Sequence, residues 1–312
     1  MMRHSKIYIG IFLLLTGLFS CEPYEDYLGD FDYSIVYFGT QKPLRTIVAY
    51  DNMEFKVGVA LGGKRSNEVD EYADFSVDPS LLDDDTFTEG NDFELLPADY
   101  YSLSNDSRMV IPAGKFIGDV TVTLDREAFT SDPKALSTTY ALPIRITGSS
   151  LDSISSGNYD EAGNVINPPK DYTILVVKYI SPYHGTYYHK GTQQELDENG
   201  ELIEETVYNN DDLSKNGTWA LSTVDRTQVM TPALGDNISG SMVLNVNESN
   251  NEVAISTTDD NIVDLVGTAT YNADERTFYL DYSFTRNARN FTVQDTLVLR
   301  RAPELDLGFE EW

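Results

Sequence analysis

The residues with the most distinctive chemistry are one thiol and a scatter of aromatic rings. Cys21 is the single cysteine in 312 residues. It follows Arg3 and Lys6, an apolar run over 7–19, and Ser20. A short basic end, an apolar middle of about 7–15 residues and small residues at the cut make a secretory leader. Cleavage here would free the Cys21 thiol for acylation, although Phe19 stands where a smaller residue is usual. The run is too short for a span, which needs about 20 apolar residues. A lone thiol in an exported chain calls for a special use, and with one cysteine there is no disulfide framework. Each acyl methylene adds about 0.8 kcal/mol of membrane affinity, so two or three chains hold a protein firmly.

The rings suggest a second chemistry. Sugars present apolar C–H faces, so exposed Trp and Tyr rings make stacking platforms, with Asp, Asn or Gln closing bonds to hydroxyls. Trp219, Tyr187, Tyr188, Tyr271, Tyr279 and Tyr282 are the candidate glycan-binding residues, all in the second half. Period-two alternation over Thr277–Phe284 puts Tyr279 on one face with Asp281 and Phe278 on the other with Tyr282. At least one of these rows therefore packs a core. Trp312 ends the chain, where fraying is expected.

Other chemistries find no adequate pattern. Asp83-Asp84-Asp85 lacks the spacing of a loop that wraps calcium and reads as a charged surface loop. His184 and His189 have no third ligand at metal spacing. Gly62-Gly63-Lys64 lacks the spacing and the Ser/Thr of a phosphate loop. Glycoside hydrolysis needs two carboxyl groups about 5–10 Å apart, but so many acidic residues supply such pairs by chance. Neither a Gly-x-Ser-x-Gly elbow nor a His-Glu-x-x-His helix occurs. No catalytic residue, metal or cofactor is assigned. Asp152-Ser153-Ile154 and Asp295-Thr296-Leu297 fit a short O-glycosylation pattern, the second inside a predicted strand.

The elements that must position these residues are strands. Lys and Arg number 22 against 51 Asp and Glu, a net charge of −29. That balance opposes nucleic acid and anionic membrane surfaces as partners. With 20 Tyr and 14 Phe the chain has apolar surface enough for packed cores, and its length suggests two domains. Met53–Ala60 alternates at period two, and Pro/Gly turns recur through the first half as in a sandwich. Pro112 and Pro143 fall in or beside strands, where a missing N–H is tolerated at an edge, a start or a bulge. Tyr172–Val177 reads as a buried strand, and Ser181-Pro182 marks a boundary. Later alternating runs make an antiparallel meander. The expected organisation is a leader over 1–20, an acidic tether over 21–30, a β-sandwich over 31–180 and a β-rich domain over 181–312. Extended at about 3.3–3.6 Å per residue, residues 22–30 reach roughly 30 Å.

Four separated blocks carry a family resemblance: Leu96-Pro97 with Tyr100–Leu103, Val110–Lys115, Val120–Leu124 and Tyr140–Thr147. Together they resemble the N-terminal domain of unknown function in Bacteroidetes surface lipoproteins encoded beside starch-utilisation-type transporters, which implies an immunoglobulin-like sandwich. His184–Gly191, Gly217-Thr218-Trp219 and Arg276–Arg301 resemble the second domain of unknown function in the same lipoproteins, a β-rich barrel or sandwich. The acidic stretch behind Cys21 resembles their signal for the outer face of the outer membrane, a solvated periplasmic spacer being the alternative. The resemblance implies an all-β, non-catalytic lipoprotein, lipid-anchored in the outer membrane and exposed at the cell surface. It would assist capture of a polysaccharide or oligosaccharide, with a transporter complex as candidate partner. The alternatives are a protein-interaction or adhesin module and, third, a glycoside hydrolase.

Overall fold

The computed structural model describes Phe31, residues 33–50 and residues 52–312. Cys21, the leader and the acidic tether lie outside the described residues. In chain order the first strands are β1 (Ile35–Phe38), β2 (Pro43–Val48), β3 (Glu54–Gly62), β4 (Glu71–Val77), β5 (Glu94–Leu95), β6 (Tyr101–Leu103), β7 (Arg108–Ile111) and β8 (Ile117–Leu124). Next come β9 (Tyr140–Ser149), β10 (Ser153–Ile154), β11 (Asn158–Tyr159), β12 (Val165–Asn167) and β13 (Tyr172–Ile180). The second half holds β14 (Gly185–Leu196), β15 (Leu202–Tyr208), β16 (Gly217–Asp225), β17 (Gln228–Leu234), β18 (Ile238–Val246), β19 (Glu252–Ser256), β20 (Val263–Asn272), β21 (Thr277–Arg286), β22 (Arg289–Leu299) and β23 (Glu310–Glu311). The protein is all-β, as the sequence predicts.

The first half is a two-sheet sandwich. One sheet runs β10-β1-β3-β8-β6; the other runs β23-β2-β13-β9-β4-β7, with β5 beside β9. Phe55, Val57, Val59 and Leu61 alternate inward from β3 onto Leu142, Ile144, Ile146, Leu175 and Val177 of the facing sheet. β13 is buried on both faces, which accounts for its unbroken apolar run. Its second face, Tyr172, Ile174 and Val176, packs under Leu81, Phe87, Phe93 and Trp312. This cover includes the 79–95 excursion, where the acidic triplet becomes helix capping: Asp84 accepts from the Thr86 amide at 2.8 Å and starts the turn Asp85–Thr88.

Pro143 sits inside β9, between strands on both sides. It falls where β4 has ended: its carbonyl accepts from Asp78, and β5 takes over from Glu94 onward. No ladder bond is asked of the missing N–H. The expectation that Trp312 frays is corrected by the structure. β23 pairs with Pro43-Leu44 of β2, and the indole Nε1 donates to the Ile174 carbonyl at 2.7 Å. A chain end gains order wherever backbone pairing and an aromatic ring can dock together.

The second half is a closed barrel. β14-β16-β17-β18-β19-β20-β21-β22 follow in order, β22 pairs back onto β14 over Tyr187–Leu196, and β15 adds a ninth strand to the same sheet. Closure removes edges, and eight strands leave an interior just wide enough for side chains to fill. Salt links tie the two units: Arg126 of the first and Arg226 of the second bond the two oxygens of Glu248 at 2.7 and 2.8 Å. Among the described residues no helix is long and apolar enough to cross a membrane, and no group of three or more His, Cys, Asp or Glu is placed to hold a metal ion.

Candidate functional site

The aromatic candidates divide by strand parity. Tyr187, Trp219, Tyr271 and Tyr282 point into the barrel and are buried, Trp219 at 3 % exposure. These four are corrected from stacking platforms to core. Their rings pack with Leu221, Met242, Leu244 and Val293 in one apolar cluster inside the bore. Tyr271 packs edge-on to Tyr183 at 4.9 Å, and Tyr282 lies over Phe284. The Tyr187 hydroxyl donates to the Tyr183 carbonyl at 2.8 Å.

The inner rings surround a buried polar knot on Asp295, itself 2 % exposed. Its Oδ1 is 2.9 Å from His189 Nε2 and accepts the Tyr208 hydroxyl at 2.6 Å, while Oδ2 accepts the Tyr282 hydroxyl at 2.7 Å. The Tyr282 oxygen in turn accepts the Gly235 amide at 2.8 Å. The Trp219 indole stacks on His189 at 3.6 Å and donates to Asn237 Oδ1 at 3.1 Å. Burial first, and the Asp295 charge second, push the Tyr208 and Tyr282 hydroxyls far above their ordinary range, so both remain donors. Gly191 makes the knot possible: a β-carbon there would sit 2.6 Å from Asp295 Oδ1 and 3.0 Å from the Tyr208 ring. Each polar partner meets another within the protein, which identifies the knot as a structural plug. The Asp295-Thr296-Leu297 pattern is thus divided, with Asp295 committed inside and Thr296 outside.

Tyr279 and Tyr188 face outward. Tyr279 is 43 % exposed, and its hydroxyl donates to Glu275 at 2.8 Å. Strand register places it in a cross-strand row, Glu252–Thr270–Tyr279–Thr296–Lys190, across β19, β20, β21, β22 and β14. A second row, Thr268–Asp281–Gln294–Thr192, lies alongside, with Gln294 donating to Asp281 at 3.3 Å. The rows line a depression of about 420 Å³. A neighbouring depression of about 670 Å³ reaches Asn245, Asn247 and Glu252. Both include Thr268–Thr270, so they form one trough. At about 4.8 Å between strands, the first row spans roughly 19 Å. Tyr188, half-buried, stands opposite Val298 and Thr218 and does not line the trough.

Of the six named aromatics, the structure therefore puts one in an open polar trough. Gln294, Thr268, Thr270 and Lys190 were not singled out from sequence, and Asp281 and Thr296 were noted there without a binding role. Alternation within β21 joins Asp281 to Tyr279; the others needed the register between strands.

The fold and site together define a class: an all-β protein in which a sandwich precedes a closed eight-stranded barrel. A family model whose description reads "-like, N-terminal domain" matches residues 31–153. No curated protein matches the chain. A protein of unknown function from Bacteroides ovatus shares 25% identity at TM-score 0.75, over 90% of this chain and 98% of its own. A second B. ovatus protein of unknown function gives 14% identity and TM-score 0.42, over 86% and 94%. A multidomain protein including DUF1735, also from B. ovatus, gives 14% and 0.41 over the same shares. The first of these has the same two-part fold along nearly its whole length.

Proposed function

We propose that this chain is a non-catalytic carbohydrate-binding lipoprotein. Acylated Cys21 anchors it at the outer-membrane surface, and the barrel trough holds a polysaccharide or oligosaccharide for a neighbouring transporter complex. The observation that carries the reading is the cross-strand row through Tyr279. It sets an exposed ring beside hydroxyl, amide, carboxylate and ammonium groups on a rigid sheet. Stacking on a ring face with hydrogen bonds at its rim is how a pyranose is held. The resemblance of the four N-terminal blocks to surface lipoproteins supports the location.

Retention on polysaccharide affinity gels and a glycan array test the binding. The chain lacking residues 1–21 is expected to be retained, without release of reducing sugar, and Tyr279→Ala to lose at least about tenfold in affinity. Equal retention of both proteins would refute the trough. Release of reducing sugar would favour a hydrolase. Retention on no glycan, with a transporter subunit recovered, would favour an interaction module. For the anchor, a fatty-acid probe is expected to label the wild type and not Cys21→Ala.

A further inference from the structure

A second cleft, of about 480 Å³, lies between the sandwich and the barrel. Its lining includes Tyr50 just past β2, Arg126 after β8, Tyr183 between the units, Glu248 in the β18–β19 turn, Tyr271 in β20 and Arg276 in the β20–β21 turn. None of these residues belongs to the trough.

Arg276 is the unusual member. It ends the β20–β21 turn with φ at +48°, as Asn251 of the same lining sits in the β18–β19 turn at +60°. Its guanidinium lies 5.7 Å from the centre of the Tyr50 ring, and Nη2 reaches Glu304 only at the long distance of 3.4 Å. Nη1 is shut off from solvent and has no hydrogen-bond partner. A guanidinium N–H hidden from water without an acceptor is costly, and such exceptions in a folded protein call for an explanation. Both oxygens of Glu248 are already taken by Arg126 and Arg226. The cleft thus holds two guanidinium groups, Arg126 bonded to Glu248 and Arg276 in its long contact with Glu304. A planar fork of donors fits a carboxylate or sulfate better than any neutral group.

We propose that this cleft is a second binding site, for an anionic group, carboxylate or sulfate, carried on a saccharide. Arg276 turns from its weak contact with Glu304 to present its fork, and Arg126 supplies the second positive wall. The saccharide part rests on the reading of the trough; the anion part stands on the cleft alone.

Calorimetry on the chain lacking residues 1–21 tests it, with oligogalacturonate, a sulfated galactan oligosaccharide free of carboxylate, a neutral galactan oligomer of equal length and inorganic sulfate as probes. At least one acidic oligomer is expected to bind about tenfold or more tighter than the neutral one; which of the two holds the margin separates carboxylate from sulfate. Inorganic sulfate should compete for that margin. Arg276→Gln should abolish the margin and leave neutral binding unchanged, whereas Tyr279→Ala should weaken neutral binding and leave the margin. Should Arg276→Gln not fold, Arg276→Lys keeps the charge, loses the fork and should cut the margin several-fold. Equal affinity for acidic and neutral oligomers, or a margin that survives both Arg276 substitutions, overturns the proposal. An acidic margin with no effect of Tyr279→Ala would sink the trough and spare the cleft.

Discussion

The two faces of β21 each carry a tyrosine, to opposite ends. Phe278, Leu280, Tyr282 and Phe284 enter the barrel and are buried; Tyr279 and Asp281, one step out of phase, meet solvent in the trough. Inside, a carboxylate and tyrosine hydroxyls are buried and bonded to one another. Outside, the same groups are held at one point each and keep capacity to spare. Parity along the strand, more than residue type, separates the packed core from the open trough.

If that contrast is right, the largest effect should come from the inner face and should be on stability. Trp219→Ala removes a buried indole, its stack on His189 and its bond to Asn237. It should cost about 3–5 kcal/mol, seen as a lower chemical-denaturation midpoint. A midpoint within experimental error of wild type would show that the ring is not core. Asp295→Asn is next, at about 2–3 kcal/mol, because an amide offers one acceptor oxygen where three donors converge. Glycan retention by the folded fraction should be unchanged in both, which stability alone would not guarantee.

The comparison extends to the two units. Removing residues 310–312 strips the Trp312 cover from the sandwich face and leaves the barrel strands intact. It should cost about 1–2 kcal/mol, and hydrogen exchange should quicken in β2 and β13 before β21. Uniform quickening would mean that the units unfold as one. Acid should act on the sandwich too. The Ser150 hydroxyl and Lys64 hold Glu71 below its usual range, the Ser80 hydroxyl and Arg145 hold Asp78 low, and the Tyr140 hydroxyl holds Asp132 low. Unfolded carboxyls titrate near about 3.9–4.3. The stabilisation is thus complete above that range and is lost as the pH falls through the lower folded values. Melting temperature should hold steady down to about pH 5 and drop below about pH 4; a rise on acidification would contradict these bonds.

Much of the fold was legible because strand period and turn chemistry are local. Alternation in β3 and β21, the buried run of β13 and the breaks at Pro112 and Ser181-Pro182 all follow from neighbours in sequence. Closure of the barrel did not, since it depends on β22 reaching back to β14. Trp312 was misread for the same reason: its docking partner, Ile174, lies 138 residues away. The site was half legible. Alternation showed that one row of rings had to be core but not which row, and the choice is made by which face closes around the bore. Asp295 gave no sign of its partners, which come from three other strands.

The smallest effect on stability should accompany the largest on binding. Tyr279→Ala takes away a half-exposed ring whose one polar partner, Glu275, is on the surface. Surface changes away from such features stay within about 0.5 kcal/mol, so the denaturation midpoint should scarcely move while glycan retention falls. Tyr279→Phe divides the effect further. The ring remains and only the bond to Glu275 goes, so retention should stay close to wild type if stacking does the holding. Loss of retention in Tyr279→Phe as great as in Tyr279→Ala would assign the work to the hydroxyl, and with it to a hydrogen-bonding groove rather than a stacking platform.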